Sequence, residues 1–198
     1  MILIDTIPKN KIDSVLNLKI YNNNIEDAYE KYNNATLDIF DHQLSVDEAD
    51  SSSIGSFVDH NLRYENRYVK IIEEFNRVNG CRPVIIETPL NDLENLDILR
   101  ILETLDYKDK LLFIDLIRFN KNNSNMYSIE NNDFLPLFVR LATRELLFPI
   151  FHFTNIGVTI AGSFDLSFPI FFDNKNNLKK YLKIAENNKL FFRNIEFI

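Results

Sequence analysis

The sequence predicts an α+β (mixed α/β) fold: a central mixed β-sheet of about six strands with helices packed on it. Three observations predict this. Several stretches place apolar residues at helical spacing with charges on the other side, most clearly 57–78. Short apolar runs of strand length, bounded by turn residues, gather after residue 80. Ten of the 17 phenylalanines fall in 148–198, the largest concentrated source of hydrophobic burial in the chain. The chain is therefore expected to form one globular domain over 1–198, mainly helical over about 1–80 and sheet-rich over about 81–198.

In chain order, 2–7 and 15–20 are short apolar segments. Asn22-Asn23-Asn24 leads into a helix with Asn24 as N-cap and Glu26 and Asp27 in the first turn, where the helix dipole favours acids. Residues 35–41 are expected to continue as another short helix. The acidic, serine-rich stretch 41–56 is expected to be a flexible connection. Over 57–78, Val58, Leu62, Val69, Ile72 and Phe75 form one stripe, and Asn79-Gly80 supplies a C-terminal cap. Val84-Ile85-Ile86 marks a buried strand over 83–88, and 93–105 is a helix with a wide apolar face. Residues 110–119 are nearly continuous apolar sequence, expected as a strand covered on both faces. Strand, helix and strand together predict a parallel β-α-β unit with a right-handed crossover.

The asparagine-rich 121–132 is expected to be a loop. Pro136 suits the first turn of a helix over 134–147, which carries Arg140 and Arg144 on one face. Strands at 148–154 and 158–163 are joined by the turn Asn155-Ile156-Gly157. A strand at 166–172, a helix at 178–186 and a strand at 190–197 then make a second β-α-β-like unit.

The bulk numbers narrow the function. Hydrophobic content of 45% with 26% charged residues is ordinary for a soluble globular protein. Acids outnumber bases 29 to 22, a net charge of −7. Such a surface repels a phosphate backbone, so no nucleic-acid partner is expected, whereas a basic protein partner suits it. Cys81 is the single cysteine. It excludes an intramolecular disulfide and, with no basic leader at the N-terminus, predicts a cytoplasmic setting. No apolar run approaches the ~20 residues of a membrane-spanning helix, so no membrane is expected.

The common catalytic signatures are missing. The four glycines form no phosphate-binding loop and no dinucleotide fingerprint, and no Gly-x-Ser-x-Gly elbow occurs. The three histidines show no metal-ligand spacing, so neither a metal nor a cofactor is expected. Asp41-His42 with Asp59-His60 is the only candidate metal set, and ordinary solvated side chains account for it. Asp47-Glu48-Ala49-Asp50 spells a helicase acidic box but lacks both a preceding buried strand and a phosphate loop upstream. Cys81 follows a helix C-terminus, where the dipole disfavours a thiolate, and is expected to be structural.

Five residues remain as binding candidates: Glu87, Asp115, Arg118, Arg140 and Arg144. Glu87 and Arg118 are expected at the carboxyl ends of two parallel strands, where α/β sheets place ligands, or paired with each other. Asp115, in mid-strand among apolar neighbours, is expected either to face solvent or to have a cationic partner, with Arg140 or Arg144 as candidates. Asp165 is expected in a turn and His152 as a satisfied sheet histidine, while Lys175, Lys179, Lys180 and Lys183 give the last helix a solvated basic side.

These observations predict a non-catalytic protein-binding protein of the immunity or antitoxin kind, masking a basic partner with an acidic surface. One alternative is a metal-dependent hydrolase using Glu87, Asp115 or Asp165, which requires two of these carboxylates to converge in a cleft. Another is a structural component of a phage or spore assembly, which an exposed apolar patch on the aromatic quarter would favour.

Overall fold

The aromatic last quarter forms the middle of a sheet. In the computed structural model, which describes residues 4–45, 47–48, 57–119, 124–130 and 132–198, eight strands pair in the order β1-β4-β3-β5-β6-β7-β2-β8. They are β1 (Ile4–Thr6), β2 (Asn33–Asp38), β3 (Val84–Glu87), β4 (Met126–Ile129), β5 (Ile150–Phe153), β6 (Val158–Ala161), β7 (Phe168–Phe172) and β8 (Phe191–Glu196). Every neighbouring pair is antiparallel, so the fold is α+β. The helices are α1 (Ile12–Val15), α2 (Ile25–Lys31), α3 (Phe57–Val78), α4 (Asn95–Thr104), α5 (Tyr107–Phe119), α6 (Phe134–Thr143) and α7 (Leu178–Asn187).

Because strand side chains alternate, each strand serves two faces. Ala35, Leu37, Val84, Ile86, Tyr127, Ile129, Phe151, Phe153, Val158, Ile160, Phe168, Ile170 and Phe172 share one face and pack with α3 to α7 in the main core. The register is consistent throughout, with Ile86 opposite Phe151, Phe151 opposite Ile160, and Ile160 opposite Ile170. Phe75 of α3 lies 5.7 Å from Phe153 and 5.6 Å from Tyr181 of α7. Each fully buried ring contributes about 1.5–3 kcal/mol, which is why the phenylalanine-rich strands sit centrally. The second face carries Ile85, Met126 and Phe171, covered by the N-terminal segment in two small clusters. Ile7 and Leu16 pack over Ile85 and Met126; Leu18, Ile20 and Ala28 pack over Phe171.

The expected helix stop at Gly80 is a Schellman arrangement, with Cys81 N donating to Asn76 O and Gly80 N to Arg77 O, both at 3.0 Å. The hairpin turn also falls as expected, and Gly157 adopts a φ of +59° against Asp173, whose carboxylate occupies the space a Cβ would need.

Several expectations need correction. Residues 110–119 are not a strand but most of α5, so the parallel β-α-β unit does not exist and the sheet is antiparallel rather than mixed. Residues 35–41 are not a helix: 33–38 are β2, inserted between β7 and β8. Since β2 is antiparallel to both, β7 and β8 run in the same direction with α7 between them. The second β-α-β-like unit is thus present, split by an added strand. The loop expected over 121–132 contains β4, and its residues 121–123 and 131 lie outside the described residues. The connection expected over 41–56 also lies largely outside them, at 46 and 49–56. At the sheet edge, a register shift between β2 and β8 and the positive φ of Asn194 bulge the last strand, a usual protection for an unpaired edge.

Candidate functional site

The second face of the sheet is not fully covered. Where the N-terminal segment crosses the ends of β3 and β4, a cleft of about 790 Å³ opens. Its lining is polar: carboxylates from Asp13, Glu87 and Asp92, amides from Asn22, Asn23, Asn91 and Asn125, hydroxyls from Tyr21 and Ser124, over Ile12 and Met126. Among the described residues no lysine, arginine or histidine lines it.

Each carboxylate is placed by a different element. Glu87 ends β3 and points to the second face, in register with Met126 and Ile150. Its Oε2 accepts a hydrogen bond from Asn22 N at 3.1 Å. Burial pushes its pKa up to about 6, and that single N–H offsets only part of the effect. Asp13, on the short helix α1, accepts from Tyr21 Oη at 2.5 Å. Burial, then the Asp13 bond and charge, then the charge of Glu87, push the Tyr21 phenol up to about 12. Asp92 closes the 3-10 turn Leu90–Asp92 and accepts from Asn125 Nδ2 at 3.3 Å, while Asn91 Nδ2 donates to Asn125 Oδ1 at 3.0 Å. Asn24, next to the lining residues Asn22 and Asn23, holds this segment in place. It accepts from Tyr21 N (2.7 Å) and donates to Lys19 O (3.3 Å), so its side chain fixes the bend before α2 and makes no cap bond to the helix.

Among the described residues, Asp13, Glu87 and Asp92 form no ion pair. The cleft therefore presents negative charge that no cation among the described residues neutralises. No group of three His, Cys, Asp or Glu among the described residues is arranged to hold a metal ion.

The five sequence candidates separate. Glu87 alone reaches the cleft. Arg118 is exposed on α5, and no ion pair joins it to Glu87 among the described residues; the shared strand edge expected for them is absent because 107–119 is helical. Asp115 is half-buried on the same helix and is not the partner of the arginines. Arg140 instead donates to Asp109 Oδ1 and Oδ2 at 2.8 and 2.7 Å. Arg144 grips Glu65 with two bonds, Nε to Oε2 at 2.7 Å and Nη2 to Oε1 at 2.9 Å, and donates to Thr104 O at 2.7 Å. Glu65 and Asp109 are both buried, so this network ties α3, α4, α5 and α6 together inside the main core layer.

Asp165 sits in the 3-10 turn Phe164–Leu166 at a φ of +54°, with its N–H donating to Glu145 Oε1 at 2.8 Å. Neither Asp165 nor Asp115 lines the cleft, so the three carboxylates singled out from sequence do not converge. His152 is fully buried, and burial drives its pKa down to about 3. Its Nδ1 pairs with Thr159 Oγ1 at 3.0 Å, but Nε2 has no partner among the described residues. His42 bonds Asp41 (2.7 Å) and Glu48 (3.2 Å), and His60 packs edge-on against Tyr64. Cys81 is exposed at a φ of +52°. Lys175, Lys179, Lys180 and Lys183 are exposed, as expected.

Sequence reasoning missed Asp13, Tyr21, Asp92 and Asn125. Asp13 and Tyr21 lie between short apolar segments, and Asp92 resembles an ordinary turn acid. The β3–β4 pairing sets Asn125 near Glu87, and the N-terminal segment, joined to the sheet through β1–β4, brings in Asp13 and Tyr21. Among the described residues no helix is long and apolar enough to cross a membrane. No family model, curated protein or solved structure matches this chain.

Proposed function

We propose that this protein is a non-catalytic binding protein that holds a basic protein partner against its acidic surface, in the manner of a cytoplasmic immunity protein or antitoxin, and that the cleft receives one of the partner's lysine or arginine side chains. The observation that carries this reading is Glu87: a largely desolvated carboxylate at a cleft wall, flanked by Asp13 and Asp92, with no cation paired to it among the described residues. A desolvated charge without a partner costs free energy, and an incoming ammonium or guanidinium recovers it. The net charge of −7 adds long-range attraction for such a partner.

Isothermal titration with an oligolysine peptide tests this. The wild-type chain binds at low salt, and Glu87→Gln weakens binding about tenfold, one charge-assisted contact of about 1.4 kcal/mol. Affinity rises from about pH 5 to pH 7.5 as Glu87 ionises through its pKa of about 6. Equal binding by wild type and variant across that range sinks the reading.

A further inference from the structure

The consecutive helices α4 and α5 carry exposed apolar side chains. α4 buries Ile101 and Leu105, yet Leu96 is 75% and Leu99 58% exposed, one turn apart on the opposite side. Just beyond α4, Tyr107 is 78% exposed, and Leu111 follows it one turn on, also exposed. Single exposed hydrophobics are ordinary, but four within residues 96–111, in two pairs each one turn apart, are a concentration that calls for a partner. α5 confirms the pattern: a helix apolar on several sides belongs in a covered position, and this one is uncovered on its outer side.

The charges around the patch say what covers it. Between residues 92 and 111 the exposed acids Asp92, Glu94, Asp97, Glu103 and Asp106 outnumber the bases Arg100, Lys108 and Lys110, and Lys108 is already paired with Asp133. We infer that this face docks a basic amphipathic helix of a partner protein, with apolar residues at i and i+3 or i+4 seated on Leu96, Leu99 and Tyr107 and flanking lysines or arginines on the acidic rim. A second copy of this chain would set one acidic rim against another, a costly juxtaposition. The inference rests on the reading of the chain as a binder of a basic protein and adds the surface and the secondary structure it takes. Asp92 belongs to both the cleft wall and this rim, so one partner reaches both.

The test uses the full chain and a helical leucine–lysine peptide with one apolar stripe, followed by amide chemical shifts and by titration calorimetry. Docking on this face perturbs amides over 94–111, and the double variant Leu96→Ser/Leu99→Ser, unchanged in charge and in circular dichroism, weakens binding at least tenfold. A leucine–glutamate peptide of the same pattern does not bind. The inference is overturned by perturbations confined elsewhere, by equal binding of the acidic peptide, or by less than a twofold effect of the double variant. A concentration-dependent doubling of mass abolished by the double variant would also overturn it, assigning the face to a second copy. Loss of oligolysine binding with leucine–lysine docking intact removes the cleft reading and leaves this surface standing; the reverse result removes this surface alone.

Discussion

At residue scale, Glu87 holds its proton more tightly than a free glutamate because it has lost most of its water and gained one backbone N–H in return. Its pKa rises from 4.5 to about 6. Between those values the native chain binds more protons than the unfolded chain, so its contribution to stability falls as pH rises through the window and stays low above it. Each pKa unit corresponds to ~1.4 kcal/mol, reduced here by the solvent that still reaches the group. Glu87→Gln keeps an oxygen for Asn22 N and removes the charge. It is expected to raise stability by about 1 kcal/mol at pH 7.5 and to lose that gain below pH 4.5, measured by urea unfolding at both pH values. A carboxylate whose role is to brace Asn22 would show the opposite sign, a loss at pH 7.5.

At element scale, the Glu65–Arg144–Arg140–Asp109 network fastens α5 and α6 to α3. Removing one member strands a buried charge. Asp109→Ala is expected to cost about 3–5 kcal/mol, whereas Asp109→Leu with Arg140→Met recovers most of it, read from denaturation midpoints. Helices with one apolar stripe, such as α3 and α7, were legible from their spacing, and so were the apolar strands β5 to β7. α5 was not, because Leu111, Leu112, Phe113, Ile114, Leu116 and Ile117 leave no period to detect. Its ten-residue run is long for a strand, and length was the better guide. The exposed Tyr107 and Leu111 account for that blurred pattern: they are apolar where a solvated helix is polar. β2 failed for the opposite reason. Asn33-Asn34-Ala35-Thr36-Leu37-Asp38 has weak strand propensity, but Ala35 and Leu37 fill the core between β7 and β8, and Asp38 is held by Arg193 and Ser167. Packing overrides propensity there.

At the scale of the whole molecule, the sheet uses its two faces differently. One is filled by rings and helices; the other is crossed by a thin N-terminal segment that leaves the cleft open at one end. The acidic character was legible from composition, but its focus was not. Asp13 and Asp92 are 79 residues apart in a chain with 29 acids, and nothing local distinguishes them. Glu87 stood out only as a polar residue ending a buried strand. The predicted crevice between parallel strands was absent, and a different crevice, under the N-terminal segment, took in the same residue. The central claim is that this residue waits for a cation. NMR titration of the Glu87 side-chain carboxyl, alone and with saturating oligolysine, tests it most directly. A pKa near 6 in the free chain that falls below 4.5 on binding supports the claim; a pKa that oligolysine leaves unmoved contradicts it.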